Sequence, residues 1–125
     1  MKALSVMQPH AERIARGDKR IEWRSWKVSY RGPLLIVASQ RVDDDAYEEW
    51  AAHVGPQRLA RGVAVCVVDL VDVVDMFESD DDDPDLDDPR ADFAWKLRNP
   101  RRVRPVPLRG YAALYNVDDY LIAFA

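Results

Sequence analysis

The chain has 125 residues, 48% apolar and 32% charged, with a formal net charge of −4, which suits a single domain over 1–125 with one buried core. Its apolar runs, Pro33 to Ala38 among them, fall far short of the roughly 20 residues of a membrane span, and the start Met1-Lys2-Ala3-Leu4-Ser5 has no apolar leader core, so no membrane partner is expected. Cys66 is the sole cysteine beside two histidines, which excludes an intramolecular disulfide, fits a cytoplasmic location and leaves neither a metal site nor a cofactor to expect.

Ala3 to Met7 reads as a short strand. Pro9 suits the first turn of a helix, Ala11, Ile14 and Ala15 give its apolar spacing, and Gly17 is placed to end it in a left-handed cap. Lys19 to Arg24 alternates as a half-buried strand does, with Ile21 and Trp23 facing one way and Arg20, Glu22 and Arg24 the other. Arg31-Gly32-Pro33 is a turn, and Leu34 to Ala38 a buried strand. Asp43-Asp44-Asp45 supplies N-cap oxygens for a helix to about His53, stopped at Gly55-Pro56.

Val63 to Val74 is the strongest strand signal, long enough for one bent strand or two. The aspartate-rich tract at about 79–90 reads as an acidic loop expected to be disordered. Phe93 to Leu97, Arg102 to Leu108 and Tyr111 to Val117 look like three further strands, with Pro100, Pro105 and Pro107 confining the middle one to an edge or bulged role. Asp118 to Phe124 has room for one or two helical turns. Strands interrupted by two or three short helices make an α+β fold and point to a small β-barrel.

Charge is segregated along the chain. Residues 1–41 hold nine Lys/Arg against three Asp/Glu, residues 42–92 three against seventeen, and residues 93–125 six against two. If the two basic ends meet, the domain has a cationic face despite its acidic total; the competing reading is a mixed solvated surface. Arg98, Arg101, Arg102, Arg104 and Arg109 form the later basic stretch, where Arg102 and Arg104 would point the same way on a strand and track a backbone together, or else protect an exposed strand edge.

The segment Gly17-Asp18-Lys19-Arg20-Ile21-Glu22-Trp23-Arg24-Ser25-Trp26 concentrates the chemistry. A helix stop precedes a lysine, and a carboxylate and a guanidinium at i, i+2 share one strand face. One ion pair there would orient a planar donor fork, leaving Lys19 and Arg20 for phosphate. Trp23 and Trp26 offer surfaces on which a base could stack. The same residues also describe an amphipathic strand with tryptophans in the core and charges in water.

Taken together, Ala3-Leu4-Ser5-Val6-Met7-Gln8-Pro9, Gly17-x-Lys19-Arg20-x-Glu22-x-Arg24-Ser25-Trp26, Tyr30-Arg31-Gly32-x-Leu34-x-Ile36, Cys66 to Asp72, Asn99-Pro100 and Pro105-x-Pro107-x-x-Gly110 resemble the ASCH family of the PUA-like superfamily, in register over nearly the whole chain. The resemblance implies a PUA-like β-barrel with a cleft beside the first helix, lined by Lys19, Glu22 and Arg24, with Ser5 and Gln8 nearby. It also implies nucleic acid, RNA or DNA, as the partner. Joined to the charge and strand reading above, the expected partner is RNA before DNA, and the expected contacts are Ser5, Gln8, Lys19, Arg20, Arg24, Trp26, Arg31, Arg102 and Arg104.

The resemblance further implies a rival, a hydrolase acting on RNA or on a modified nucleoside: an N4-acetylcytidine amidohydrolase, or a metal-assisted ribonuclease. Lys19 and Glu22 would then be the catalytic pair, with Lys19 as base or electrostatic stabiliser and Glu22 as proton carrier. In the amidohydrolase branch the lysine matching Lys19 works with a threonine and a distant glutamate. Here Glu22 stands where that threonine would, and Asp75 and Glu78 lie in about the region of the distant carboxylate. A carboxylate beside a lysine stabilises its ammonium form, which favours a binder over an amidohydrolase.

The remaining polar candidates are weaker. His10 is expected to be a partly exposed helix histidine that could bond a ligand, and His53 only to complement a helix end. Cys66, among valines, is expected to be buried and inert. The aspartate tract is read as a solvated tether; it lacks the ordered spacing of a cation loop, though it could also cover the basic cleft.

Overall fold

The computed structural model describes residues 1–55, 58–76 and 92–125. Strand β1 (Lys2–Gln8) leads into helix α1 (His10–Arg16), strands β2 (Ile21–Arg24) and β3 (Gly32–Val42), helix α2 (Asp44–Val54), and strands β4 (Val63–Asp75), β5 (Phe93–Arg102) and β6 (Tyr115–Asn116). A single 3-10 turn follows at Asp119–Leu121. The aspartate tract, Glu78 and Pro56 lie outside the described residues.

The strands form one mixed sheet in the order β2-β5-β4-β3-β1-β6, with β1 parallel to β3 and the other pairs antiparallel. The expected closed barrel does not form among the described residues: the ladder stays open, with β2 and β6 as its edges. Both faces of the sheet centre are covered, which is why Leu34 to Ala38 is apolar at every position. Leu34, Ile36 and Ala38 join the core under α1, and Leu35 and Val37 the core on the opposite face.

Bulges accommodate the length of the central strands. Ile36 pairs with Cys66 and Val37 with Ala64, so Val65 is an extra residue, and Val65 and Cys66 consequently join the same core although adjacent in sequence. In β5, Asn99 and Pro100 together oppose Val68, between the pairs Val67–Arg101 and Asp69–Arg98. Asn99 takes a left-handed φ of 55°, and Pro100, with no N–H to give a ladder, sits where none is needed.

The helices end as their residues direct. Gly17, at φ 83°, caps α1 with its N–H turned to the carbonyls of Arg13 and Ile14, a conformation that costs a β-carbon-bearing residue more than glycine. Asp43 caps α2 by accepting from Ala46 N–H at 3.2 Å. Val63 to Val74 forms one strand. The expected strand at Arg102 to Leu108 is replaced by isolated bridges, Val103 to Phe124 and Pro107 to Val63, because Pro105 and Pro107 cannot donate to a ladder. The expected strand at Tyr111 to Val117 reduces to Tyr115 and Asn116.

Candidate functional site

The residues of the Gly17–Trp26 segment take positions that alternation alone does not set. Ile21 and Trp23 pack with Ala94 in a small apolar cluster, as their parity requires, but the opposite face of β2 is not solvent. Glu22 is only 7% exposed and Lys19 only 4%. Lys19 Nζ lies 3.9 Å from Glu22 Oε1, and Glu22 Oε2 accepts from Arg24 Nη2 at 3.0 Å. Arg24 Nη2 also donates to the main-chain oxygen of Ser5 at 2.7 Å, while its Nε is buried with no partner among the described residues. A carboxylate between two cations is therefore held inside the domain, and its guanidinium bridges from β2 to β1.

Ser5 extends the cluster towards the C-terminal segment. Its Oγ lies 3.1 Å from Tyr115 Oη and accepts from Tyr111 N–H at 3.3 Å. Burial raises the Tyr115 phenol above its ordinary pKa, against the Ser5 hydrogen bond. Tyr111 and Tyr115 pack at a 4.9 Å centroid separation, and the Arg109 guanidinium lies 5.3 Å from the Tyr111 ring centre. Neither tyrosine was singled out by its sequence signal, a basic residue and glycine preceding an aromatic, because that stretch reads equally well as a plain strand.

His10 is tied to the start of α2: its Nε2 lies 2.9 Å from Asp43 Oδ2, and its Nδ1 is buried without a partner among the described residues. Burial works to raise the Asp43 pKa, but the His10 hydrogen bond, the Ala46 N–H and the Lys19 charge hold it below the ordinary value.

Other expected contact residues are engaged in structure. Gln8 is 2% exposed; its amide donates to Ala60 O and accepts from Glu12 N–H, each at 3.0 Å. Arg102 grips Glu12 with both terminal nitrogens, at 2.8 and 3.0 Å. Trp26 packs edge-on against Trp95 at 4.8 Å, and Trp23 is buried. Arg31 donates to Val28 O and Tyr30 O and pairs with Asp72. Arg20 and Arg104 are exposed, while Asp75, at the end of β4, is exposed and pairs in register with Phe93.

A cavity of about 260 Å³ lies beside the C-terminal end of α1, lined by Ile14, Val68 and Leu97 and by Lys19, Arg20 and Arg98. Asn99 and Pro100 of the β5 bulge also line it, so the extra residue of β5 shapes the opening. Glu22, Arg24, Ser5 and Gln8 do not line it; Lys19 belongs to both the cavity and the charge cluster. No group of three or more His, Cys, Asp or Glu side chains suited to a metal ion occurs among the described residues, and no helix there is long and apolar enough to cross a membrane.

The comparisons agree with this architecture. The human activating signal cointegrator 1 is 30% identical over 130 residues, covering 93% of this chain, and the mouse protein of the same name is 31% identical over 131 residues. The chain spans only 22% of the length of either relative. The crystal structure of ASCH from Zymomonas mobilis superposes with a TM-score of 0.62 at 14% identity, over 95% of this chain and 88% of that one; a variant of the same protein gives 0.59 at 16% identity. Residues 4–107 match the ASCH domain, and the chain belongs to the ASCH domain family.

Proposed function

We propose that this domain binds nucleic acid, RNA rather than DNA, with one nucleotide received at the gap between β1 and β2. The observation that carries the reading is the buried set Lys19–Glu22–Arg24, whose guanidinium spans that gap with a buried Nε still unpartnered among the described residues. Buried ion sets are poor sources of stability, whereas a carboxylate and a guanidinium fork held rigidly are suited to the donor–acceptor edge of an unpaired base. The exposed cations Arg20, Arg98, Arg104 and Arg109 suit the phosphates.

Lys19 is nearly enclosed and lies against Glu22, so its role in this reading is to orient Glu22. Membership of the ASCH family supports nucleic acid as the partner. The test is a gel-shift titration with labelled single-stranded RNA and the matching DNA at several salt concentrations. A salt-sensitive shift favouring RNA is expected; no shift at low salt with either probe refutes the reading.

One observation favours a hydrolase as a second reading: the same enclosure of Lys19, which surrounds an amine as catalytic lysines are surrounded. Against it, Lys19 is ion-paired to Glu22. Incubation with N4-acetylcytidine separates the two, because turnover that disappears in Lys19→Ala belongs to the hydrolase reading only.

A further inference from the structure

We infer that Tyr111, with Arg109 and Tyr115, forms a stacking platform for a second, unpaired base beside the Arg24 gap, so that this domain prefers single-stranded to duplex nucleic acid. The inference rests on the proposed function and extends it to a surface outside the family motif. Tyr111 is 52% exposed, yet it is fixed from behind. Its N–H bonds Ser5 Oγ at 3.3 Å, its ring packs on Tyr115, and the Tyr115 hydroxyl meets the same Ser5 Oγ at 3.1 Å. Ser5 is also the residue whose carbonyl receives Arg24. The Tyr111 backbone and the Arg24 guanidinium are thus both anchored on Ser5, which brings an exposed ring and a donor fork to the same point of β1.

The Arg109 guanidinium lies over the Tyr111 ring at 5.3 Å. Both side chains are exposed, and an exposed cation–π contact is weak enough to be exchanged for a base. In the bound state the base takes the guanidinium's place on the ring, and the freed Arg109 pairs with the phosphate of that nucleotide. Aromatic rings that stack bases in this way accept any sequence, because every base has a π-face, and a duplex cannot offer one without unpairing.

The experiment uses a labelled single-stranded RNA decamer containing 2-aminopurine, and a duplex of the same sequence. Wild-type protein is expected to bind the single strand more tightly and to quench the 2-aminopurine. Tyr111→Ala, which keeps the backbone N–H to Ser5, is expected to lose roughly 5- to 150-fold in affinity and to lose the quench, with the salt slope unchanged. Tyr111→Phe retains both. Arg109→Ala keeps the quench and lowers the salt slope by about one. If wild type binds but Tyr111→Ala binds and quenches equally well, the platform is wrong and the proposed function stands. If wild type binds neither probe, the proposed function fails and takes the platform with it.

Discussion

Arg24 on β2 donates to the main-chain oxygen of Ser5 on β1 at 2.7 Å, although three strands separate β2 from β1 in the sheet. The sheet therefore curls far enough for a long side chain to span its open side, without the backbone ladder that would close a barrel. β6 covers β1 only at Lys2 and Ala3, so the Ser5 carbonyl has no strand to pair with there and takes a guanidinium proton instead. The two strands are joined there by a side chain and not by a ladder. This also makes the ends of that contact sensitive positions.

The first prediction concerns this contact. Arg24→Ala removes the bridge and leaves Glu22 with Lys19 alone. If the gap receives a nucleotide, RNA affinity falls by roughly 10- to 150-fold, the range for a hydrogen bond to a charged group. Lys19→Ala should cost a similar amount by freeing Glu22 to move. Arg109→Ala, an exposed cation, should cost only a few-fold. Gel-shift titrations of the three variants at one salt concentration measure this, with thermal unfolding as the control for folding. Equal losses in all three would mean diffuse electrostatics and no site.

Gly110→Ala tests the same region from the other side. A β-carbon at Gly110 would lie 2.8 Å from Ser5 Oγ, so the hydroxyl must turn away. It then loses Tyr115 and the Tyr111 N–H, each worth about 0.5–1.5 kcal/mol. The expected outcome is weaker RNA binding and a modest fall in Tm. In a Ser5→Ala background the same substitution should cost clearly less, since the clashing atom is gone and coupled sites are not additive. A double-mutant cycle with additive costs would show that Ser5 and Gly110 act independently.

Much of this was legible because it depends on local signals. Gly17 stops α1 in the left-handed region, Asp43 caps α2, and Pro100 falls in a bulge, all as their backbone chemistry directs. What was not legible depends on who meets whom across the fold. Period-2 alternation puts Glu22 opposite Ile21 but cannot say whether that face meets water, and here it meets Lys19 and Arg24. The sequence offers Arg102 as a phosphate contact but cannot show that Glu12, 90 positions earlier, meets both its terminal nitrogens. The tryptophans follow the same logic: large aromatics are used first in the core, so Trp23 and Trp26 are packed, and Tyr111 is among the rings left exposed, with Tyr120 and Phe124.

Cys66 gives a prediction about the core. It is fully buried in β4, and burial, with the nearby Glu12 charge adding to it and Arg102 opposing it, pushes its thiol up to about 12. At pH 8 almost no thiolate is present and none is reachable. A disulfide reagent such as DTNB should leave the folded protein unlabelled for hours and titrate one thiol at once in urea. Prompt labelling without denaturant would mean that β4 opens locally, against its central place in the sheet.

Glu12 predicts how the fold responds to acid. The residue is 8% exposed, and its carboxylate receives both terminal nitrogens of Arg102 and, at 2.6 Å, the Nε of Arg16, fastening α1 to the end of β5. Burial alone would raise its pKa, but the hydrogen bonds and charges of the two arginines outweigh it and hold the group below the ordinary carboxylate value. A folded pKa below the unfolded one means that the unfolded chain binds more protons in acid. The stabilisation is therefore complete above the unfolded value, about 4.3, and is lost as pH falls through the folded one. Glu12→Gln keeps the shape and removes the charge. It should cost about 1–3 kcal/mol at pH 7, and the gap to wild type should narrow steadily below about pH 4. Urea unfolding midpoints measured across this range decide the matter: parallel curves for the two proteins would mean that the Glu12 charge does not hold α1 to β5.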